Sequence, residues 1–306
     1  MRSAGYYIFE KQIKPETWSP AGILFFDGSS ATIVSSWKNF SSGTEAQVIA
    51  AAMRYFSSMD ILDDQIRLTW SSFTPGQYYH KVARPVVSSH WQNTNHMLPL
   101  RHDAQPEVLT HQTHLRTLIG LLDRILLVVY PSRDTLSTYG YEIRNLLILA
   151  CTECETQWRA VLQANGYVKE HYSTNDYVRL ERVLRLREYE VALTRYPSFE
   201  PIRPFGSWHA AGNPTQDLGW YNAYNATKHN RNENIPKASL GNAMTALCAC
   251  WAVLVAQYGG PVLGDAQDIR EYFDLKAKPK WDLSESYIFH VCDEHFRTWN
   301  AVSCPF

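Results

Sequence analysis

The spacing of hydrophobic positions changes character once along the chain. Through residue 100 the apolar residues come in short runs broken by turn signals. Ile23–Phe26 and Ala31–Trp37 flank Asp27-Gly28, which predicts a β-hairpin. Thr44 stands ahead of the alanine-rich "EAQVIAAAMRYFSS" and predicts a capped helix. "QIRLTWSSF" predicts a further strand. "HKVARPVVSSHWQNTNHMLPLRHDAQP", rich in Pro, Ser and Asn, predicts a connector.

From residue 107 the period becomes helical. Val108, Leu115, Leu118, Leu122, Ile125 and Val129 fall on one face of a helix that Pro131 stops. A second helix is predicted from about Thr135 to Ala164, ended by Asn165-Gly166. Its "NLLILACT" turn is apolar all round, which predicts burial on every face. A short helix follows over 174–184, then a strand over 188–195. Asp217 is placed to cap a third helix over Leu218–His229, and Pro236 to open a fourth. The buried stripe of that fourth helix would be Leu240, Ala243, Leu247, Trp251, Leu254 and Tyr258, and "GGP" would end it. A last short helix over 268–275 precedes a Lys/Pro linker and an aromatic closing segment. The pattern predicts a mainly α chain: a helical bundle at 106–264, an N-terminal α/β part at 1–105 and a C-terminal extension at 265–306.

Composition narrows the function classes. With 45% hydrophobic and 19% charged residues the chain can bury a substantial core, which argues against global disorder. A formal net charge of −1 gives no overall field toward nucleic acid or anionic lipid, so any RNA contact must come from a local patch. The start lacks the apolar core of a secretory signal. "LIGLLDRILLVVY" and "ALCACWAVLVAQY" are too short to span a bilayer. A soluble cytoplasmic protein with no membrane partner is expected, its six cysteines mostly buried and reduced.

One stretch concentrates candidate chemistry. "WYNAYNATKHNRNENIPKASL" places Tyr221, Asn225, Lys228 and His229 in one sector of the third helix, with Arg231 just beyond. Lys, His and Arg in a last turn stabilise a helix by about 0.3–1 kcal/mol each through its dipole, so the stretch has a purely structural reading. It also has a chemical one. A histidine titrating near neutrality can move protons, and Lys and Arg beside it can hold a phosphate. Together they form a metal-free kit for cutting RNA through attack of the 2′-hydroxyl on its own phosphate. Binding without catalysis is the third reading. On the second helix Arg144, Cys151, Glu155 and Arg159 share a face. Arg144 and Glu155 could form the facing wall, or Glu155 an interhelical salt bridge with Lys228 or Arg231.

Other patterns carry less. "HVCDEH" offers His290, Cys292, Asp293 and His295 as metal ligands, without a second ligand pair of recognised spacing. His111 and His114 stand one helical turn apart, with His102 and Asp103 upstream. Cys151 and Cys154 lie inside a helix, away from the helix start a redox motif needs. No dinucleotide fingerprint, nucleophile elbow or EF-hand loop occurs, so no metal or other cofactor is implied.

The order "YEIRNLLILACTECETQWRAVLQANGY", a helix with "WYNAYNATKHNR", then an apolar helix resembles bacterial proteins with YNxxKHxR-type motifs. More distantly it resembles the HEPN superfamily of helical bundles. The resemblance covers residues 107–260. It implies a metal-independent ribonuclease of toxin or anti-phage systems, or a non-catalytic relative. It also implies a homodimer, because such sites form between protomers. The superfamily signature sets Arg ahead of His, whereas here His229 precedes Arg231. On this reading His229 is general acid or base, Lys228 and Arg231 bind phosphate, and Asn225 and Tyr221 orient the substrate. The alternative is a helical interaction protein that binds a partner chain or itself.

Overall fold

A computed structural model describes residues 3–34, 38–57, 66–87, 105–260, 266–289 and 299–306. The side chains of Ile13, Phe56, Ser57, His229, Arg231 and Asn232 lie outside that description, as do His102, Asp103 and the whole of "HVCDEH". The chain is mixed α/β with helix predominating, and it divides into two compact units. One comprises Met1–Tyr78, Arg84–Pro99 and Lys280–Val302. The other comprises Tyr79–Ala83, Leu100–Pro279 and Ser303–Phe306, so residues 265–306 are shared between them.

The first unit is built on β1 (Gly5–Lys14), β2 (Thr17–Phe26), β3 (Ala31–Ile33), β4 (Lys38–Phe40) and β5 (Ile66–Trp70), in the order β4-β3-β2-β1-β5. The expected hairpin is present: Phe26 pairs with Ala31 and Leu24 with Ile33. Asp27 makes the turn, accepting from the backbone N–H groups of Ser29 and Ser30. Side chains alternate across the sheet. Tyr7, Leu24, Phe26 and Ile33 pack with Val48 and Ala52 of α1 (Glu45–Ser57). Ile8 and Ile23 pack on the other face with Val87 and Ile288, from β7 (Val86–Val87) and β10 (Tyr287–Ile288). β6 (Gln77–Tyr79) and β11 (Asn300–Val302) form a further short pair. Thr44 caps α1 as its spacing predicts: its hydroxyl accepts from Gln47 N–H, and its own N–H donates to Gln47 Oε1.

The second unit holds α2 (Gln105–Leu126), α3 (Tyr141–Ala164), α4 (Thr174–Tyr177), α5 (Arg179–Leu184), β8 (Glu190–Leu193), α6 (Pro214–Asp217), α7 (Gly219–His229), α8 (Arg231–Asn234), α9 (Leu240–Tyr258), α10 (Gln267–Arg270) and β9 (Phe273–Ala277). α9 packs against α2, α3 and α7 and is buried along nearly its whole length. Among the described residues it is the one helix long and apolar enough to cross a membrane, and most of it is enclosed by this chain. Cys154 and Cys250 face each other across the α3–α9 contact, and burial pushes the Cys154 thiol well above its ordinary pKa.

Several boundaries differ from the sequence expectation. α3 starts at Tyr141, not near Thr135, because Ser132 and Thr135 close a separate 3-10 turn over Arg133–Ser137. The "NLLILACT" turn is not buried all round: Leu149 is half exposed, and Asn145 and Thr152 face solvent. Asn213, rather than Asp217, supplies a cap, and it caps the added turn α6. Pro236 belongs to a 3-10 turn over Ile235–Lys237, while Ser239 caps α9 by accepting from Asn242 N–H. The segment expected as helix over 268–275 is helical only through Arg270. From Phe273 it becomes β9, pairing with β8 as Leu193 meets Phe273.

Candidate functional site

Trp158 decides where α7 sits against α3. It is fully buried, stacks on Trp208 at 5.1 Å and packs against Tyr177, Phe205, Trp220 and Tyr221. Trp220 Nε1 donates to the Pro204 carbonyl at 2.9 Å, which fixes the first turn of α7. The two helices run antiparallel: Tyr221 lies opposite Glu155, and Thr227 opposite Arg144.

Three of the seven residues singled out in the sequence, Tyr221, Glu155 and Arg144, therefore meet across one helix contact. The Tyr221 hydroxyl donates to Glu155 Oε1 at 2.5 Å. Burial, and then the Glu155 carboxylate, push the Tyr221 pKa well above that of a free phenol, so it remains a donor. The expected ion pair of Glu155 with Lys228 is replaced by this bond. Lys228 lies about two helical turns further along α7, where its Nζ donates to the Tyr224 hydroxyl at 3.0 Å. That bond raises the Lys228 pKa, and Glu155 adds to it at longer range. Arg144 reaches the last turn of α7, with a guanidinium nitrogen 3.4 Å from the Thr227 carbonyl. Its Nε is buried with no partner among the described residues. A cation from α3 thus faces the unsatisfied carbonyls that end α7. Asn225 is half-buried, and among the described residues its side chain makes no hydrogen bond. His229 closes α7 and Arg231 opens α8, but whether their side chains converge with Lys228 lies outside the described residues.

Tyr221→Phe is expected to lower unfolding stability by about 1–2 kcal/mol, since half-buried Glu155 loses a charge-assisted bond and can regain only part of its hydration. Urea denaturation of the variant beside the unaltered chain checks this.

Sequence reasoning missed two features. One is Tyr224, 2% exposed and one turn ahead of Lys228, where the i to i+4 spacing on a helix could have revealed it. The other is the partner of His111 and His114, which the sequence set one turn apart on α2 without naming the α3 carboxylate they share. Glu153 is buried yet accepts from His111 Nδ1 at 2.6 Å, His114 Nδ1 at 2.9 Å and Gln157 Nε2 at 3.0 Å. His111 Nε2 stands 3.7 Å from Glu107 Oε1, too far for a hydrogen bond, and Lys81 pairs with Glu107. Burial alone would lower the His111 pKa, but the carboxylates of Glu107 and Glu153 outweigh it and push it up to about 9. His111 and its buried partner stay bound as an imidazolium–carboxylate pair.

Among the described residues no group of three His, Cys, Asp or Glu side chains is disposed to hold a metal ion. No family model, no curated protein and no solved structure matches this chain.

Proposed function

We propose that this chain is a HEPN-like helical protein that acts on RNA as a metal-independent ribonuclease in bacterial toxin or defence biology. The observation that carries the reading is the pair of cations at the last turn of α7. Arg144 and the exposed Lys228 both lack a carboxylate partner among the described residues, at the helix end that also bears His229 and Arg231. Charges left unpaired beside a helix terminus suit a phosphate, which supplies several acceptor oxygens at once. His229 takes the proton of the 2′-hydroxyl as its oxygen attacks phosphorus. The 5′-oxygen leaves with the bonding electrons, and the proton is returned to it. Lys228 and Arg231 stabilise the charge that develops on phosphate, while Asn225, Tyr221, Arg144 and Glu155 shape the wall facing it.

The purified chain is expected to cleave labelled single-stranded RNA in the presence of a chelator, leaving 2′,3′-cyclic phosphate ends. His229→Ala should lower the rate by about 100-fold or more. Lys228→Met should weaken RNA binding by about tenfold. Intact RNA with the unaltered chain, or equal cleavage by folded His229→Ala, overturns the reading.

A second reading, a non-catalytic interaction protein, is favoured by a separate observation. Leu127, Val128 and Tyr130 after α2, with Tyr139 just before α3 and Tyr141 at its start, are all more than half exposed. Large apolar side chains exposed this far and this close together in sequence suit a partner surface. On this reading Leu127→Glu with Val128→Glu abolishes a concentration-dependent association seen by sedimentation of the unaltered chain. A unaltered chain that stays monomeric at every concentration removes self-association as its basis.

A further inference from the structure

α3 carries two arginines near opposite ends of one face. Arg144 meets the last turn of α7, and Arg159 follows it by fifteen residues, about 22 Å along the helix axis. Arg159 stands among rings. Its guanidinium lies 5.8 Å from the centre of Tyr172, and Tyr172 stacks on Tyr177 with their planes 3° apart. Tyr167 packs next to Tyr172, and the guanidinium of Arg179, the first residue of α5, lies 5.0 Å from its centre. Arg159 and Arg179 are both exposed. Neither has a carboxylate in salt-bridge reach among the described residues, whereas Arg116, Arg133, Arg195 and Arg203 of the same unit each have one.

The acids nearby do not cancel these charges. Asp176 is buried and accepts from Tyr167, from Lys169 and from both the N–H and the hydroxyl of Ser173. Glu155, one turn before Arg159, accepts from Tyr221. A guanidinium held by a ring is fixed through its face, and its N–H groups remain free to donate. Two cations fixed by rings rather than by carboxylates suit a ligand with repeated charged oxygens.

We propose that Arg159 and Arg179, held by Tyr167 and Tyr172, form a docking site for single-stranded RNA that grips the strand away from the bond to be cut. The choice of ligand rests on the ribonuclease reading, but none of the groups proposed to carry out the cleavage takes part. Each nucleotide brings one phosphate, so a strand laid along α3 offers an anion to Arg144 at one end and to Arg159 at the other. Cations interleaved with rings fit a single strand better than a duplex. Unpaired bases can lie against phenol rings and guanidinium planes, whereas a duplex keeps its bases stacked inside.

The experiment is fluorescence anisotropy with the full chain and a labelled 2′-O-methyl oligouridylate of about ten nucleotides. That probe has no free 2′-hydroxyl, so binding is read without cleavage. The unaltered chain should bind it, and Arg159→Gln combined with Arg179→Gln should weaken binding by about tenfold or more. The slope of log affinity against log salt should flatten by about 1.4, because each phosphate contact on a single strand contributes about 0.7. Arg133→Gln, whose charge is already met by Glu200, should leave affinity and slope nearly unchanged. Tyr172→Leu should weaken binding about tenfold at an unchanged slope. Tyr172 also ties its own loop to Lys169 N–H and the Tyr167 carbonyl, so the arginine variants carry the test if Tyr172→Leu does not fold. No binding by the unaltered chain, unchanged affinity in the folded double arginine variant, equal weakening by Arg133→Gln, or equally tight binding of a duplex of the same length each overturns the proposal. Failure of the ribonuclease reading looks different: unmethylated RNA stays intact while these arginines still hold it.

Discussion

Glu153→Ala is expected to lower the unfolding free energy by about 3–5 kcal/mol, because it strands an imidazolium inside the protein. His111 and Glu153 are both nearly excluded from solvent, so little water is at hand to take over the lost interaction. The Gln157 amide loses an acceptor in the same substitution. The loss should depend on pH in a defined way. The His111 pKa is raised in the folded chain to about 9, so the stability it contributes is complete below its unfolded pKa near 6.5 and disappears as pH rises through about 9. The gap between the unaltered chain and Glu153→Ala should therefore be widest at mildly acidic pH and narrow above about pH 9. Urea denaturation of both proteins near pH 6 and near pH 9.5 measures it. A gap that widens with rising pH would mean that His111 is neutral when buried.

That cluster also marks where sequence reading stops. The hairpin around Asp27 and the cap at Thr44 are legible because each is decided within a few residues: a turn tolerates few residue types, and a cap needs one hydroxyl at one offset. The face of α2 is legible because burial repeats with the helix. Glu153 is a different case. Its place in an apolar stretch shows that it needs a partner, but period alone does not say from which helix. The sequence offered Lys228 or Arg231 as partner for Glu155, whereas Tyr221 takes Glu155 and two histidines more than thirty residues upstream take Glu153. Helix starts were misplaced for a related reason. The 3-10 turns at Arg133–Ser137 and Ile235–Lys237 each hold residues suited to opening a helix, and the backbone leaves the helical path before α3 and α9 begin. β9 was hidden because its strand character depends on pairing with β8, some eighty residues earlier.

Trp158→Ala is expected to cost about 3–5 kcal/mol, the upper range for removing a large buried aromatic. The indole is fully enclosed, and five rings pack on it: Tyr177, Phe205, Trp208, Trp220 and Tyr221. These rings come from α4, from the loop ahead of α6 and from α7, so the cavity cannot close by the shift of one side chain. Trp158→Phe should cost much less. It keeps a ring in contact, and the indole N–H it removes has no partner among the described residues. The two variants also separate packing from site geometry. Trp158 supports Tyr221, and Tyr221 holds Glu155 against the first half of α7. Loss of the indole should therefore loosen the α3–α7 face as well as the core. Thermal unfolding of both variants, read beside their RNA cleavage at a temperature where each is folded, tests the link. If Trp158→Ala is strongly destabilised but cleaves RNA at the unaltered rate, the Tyr221–Glu155 wall is not part of the reaction.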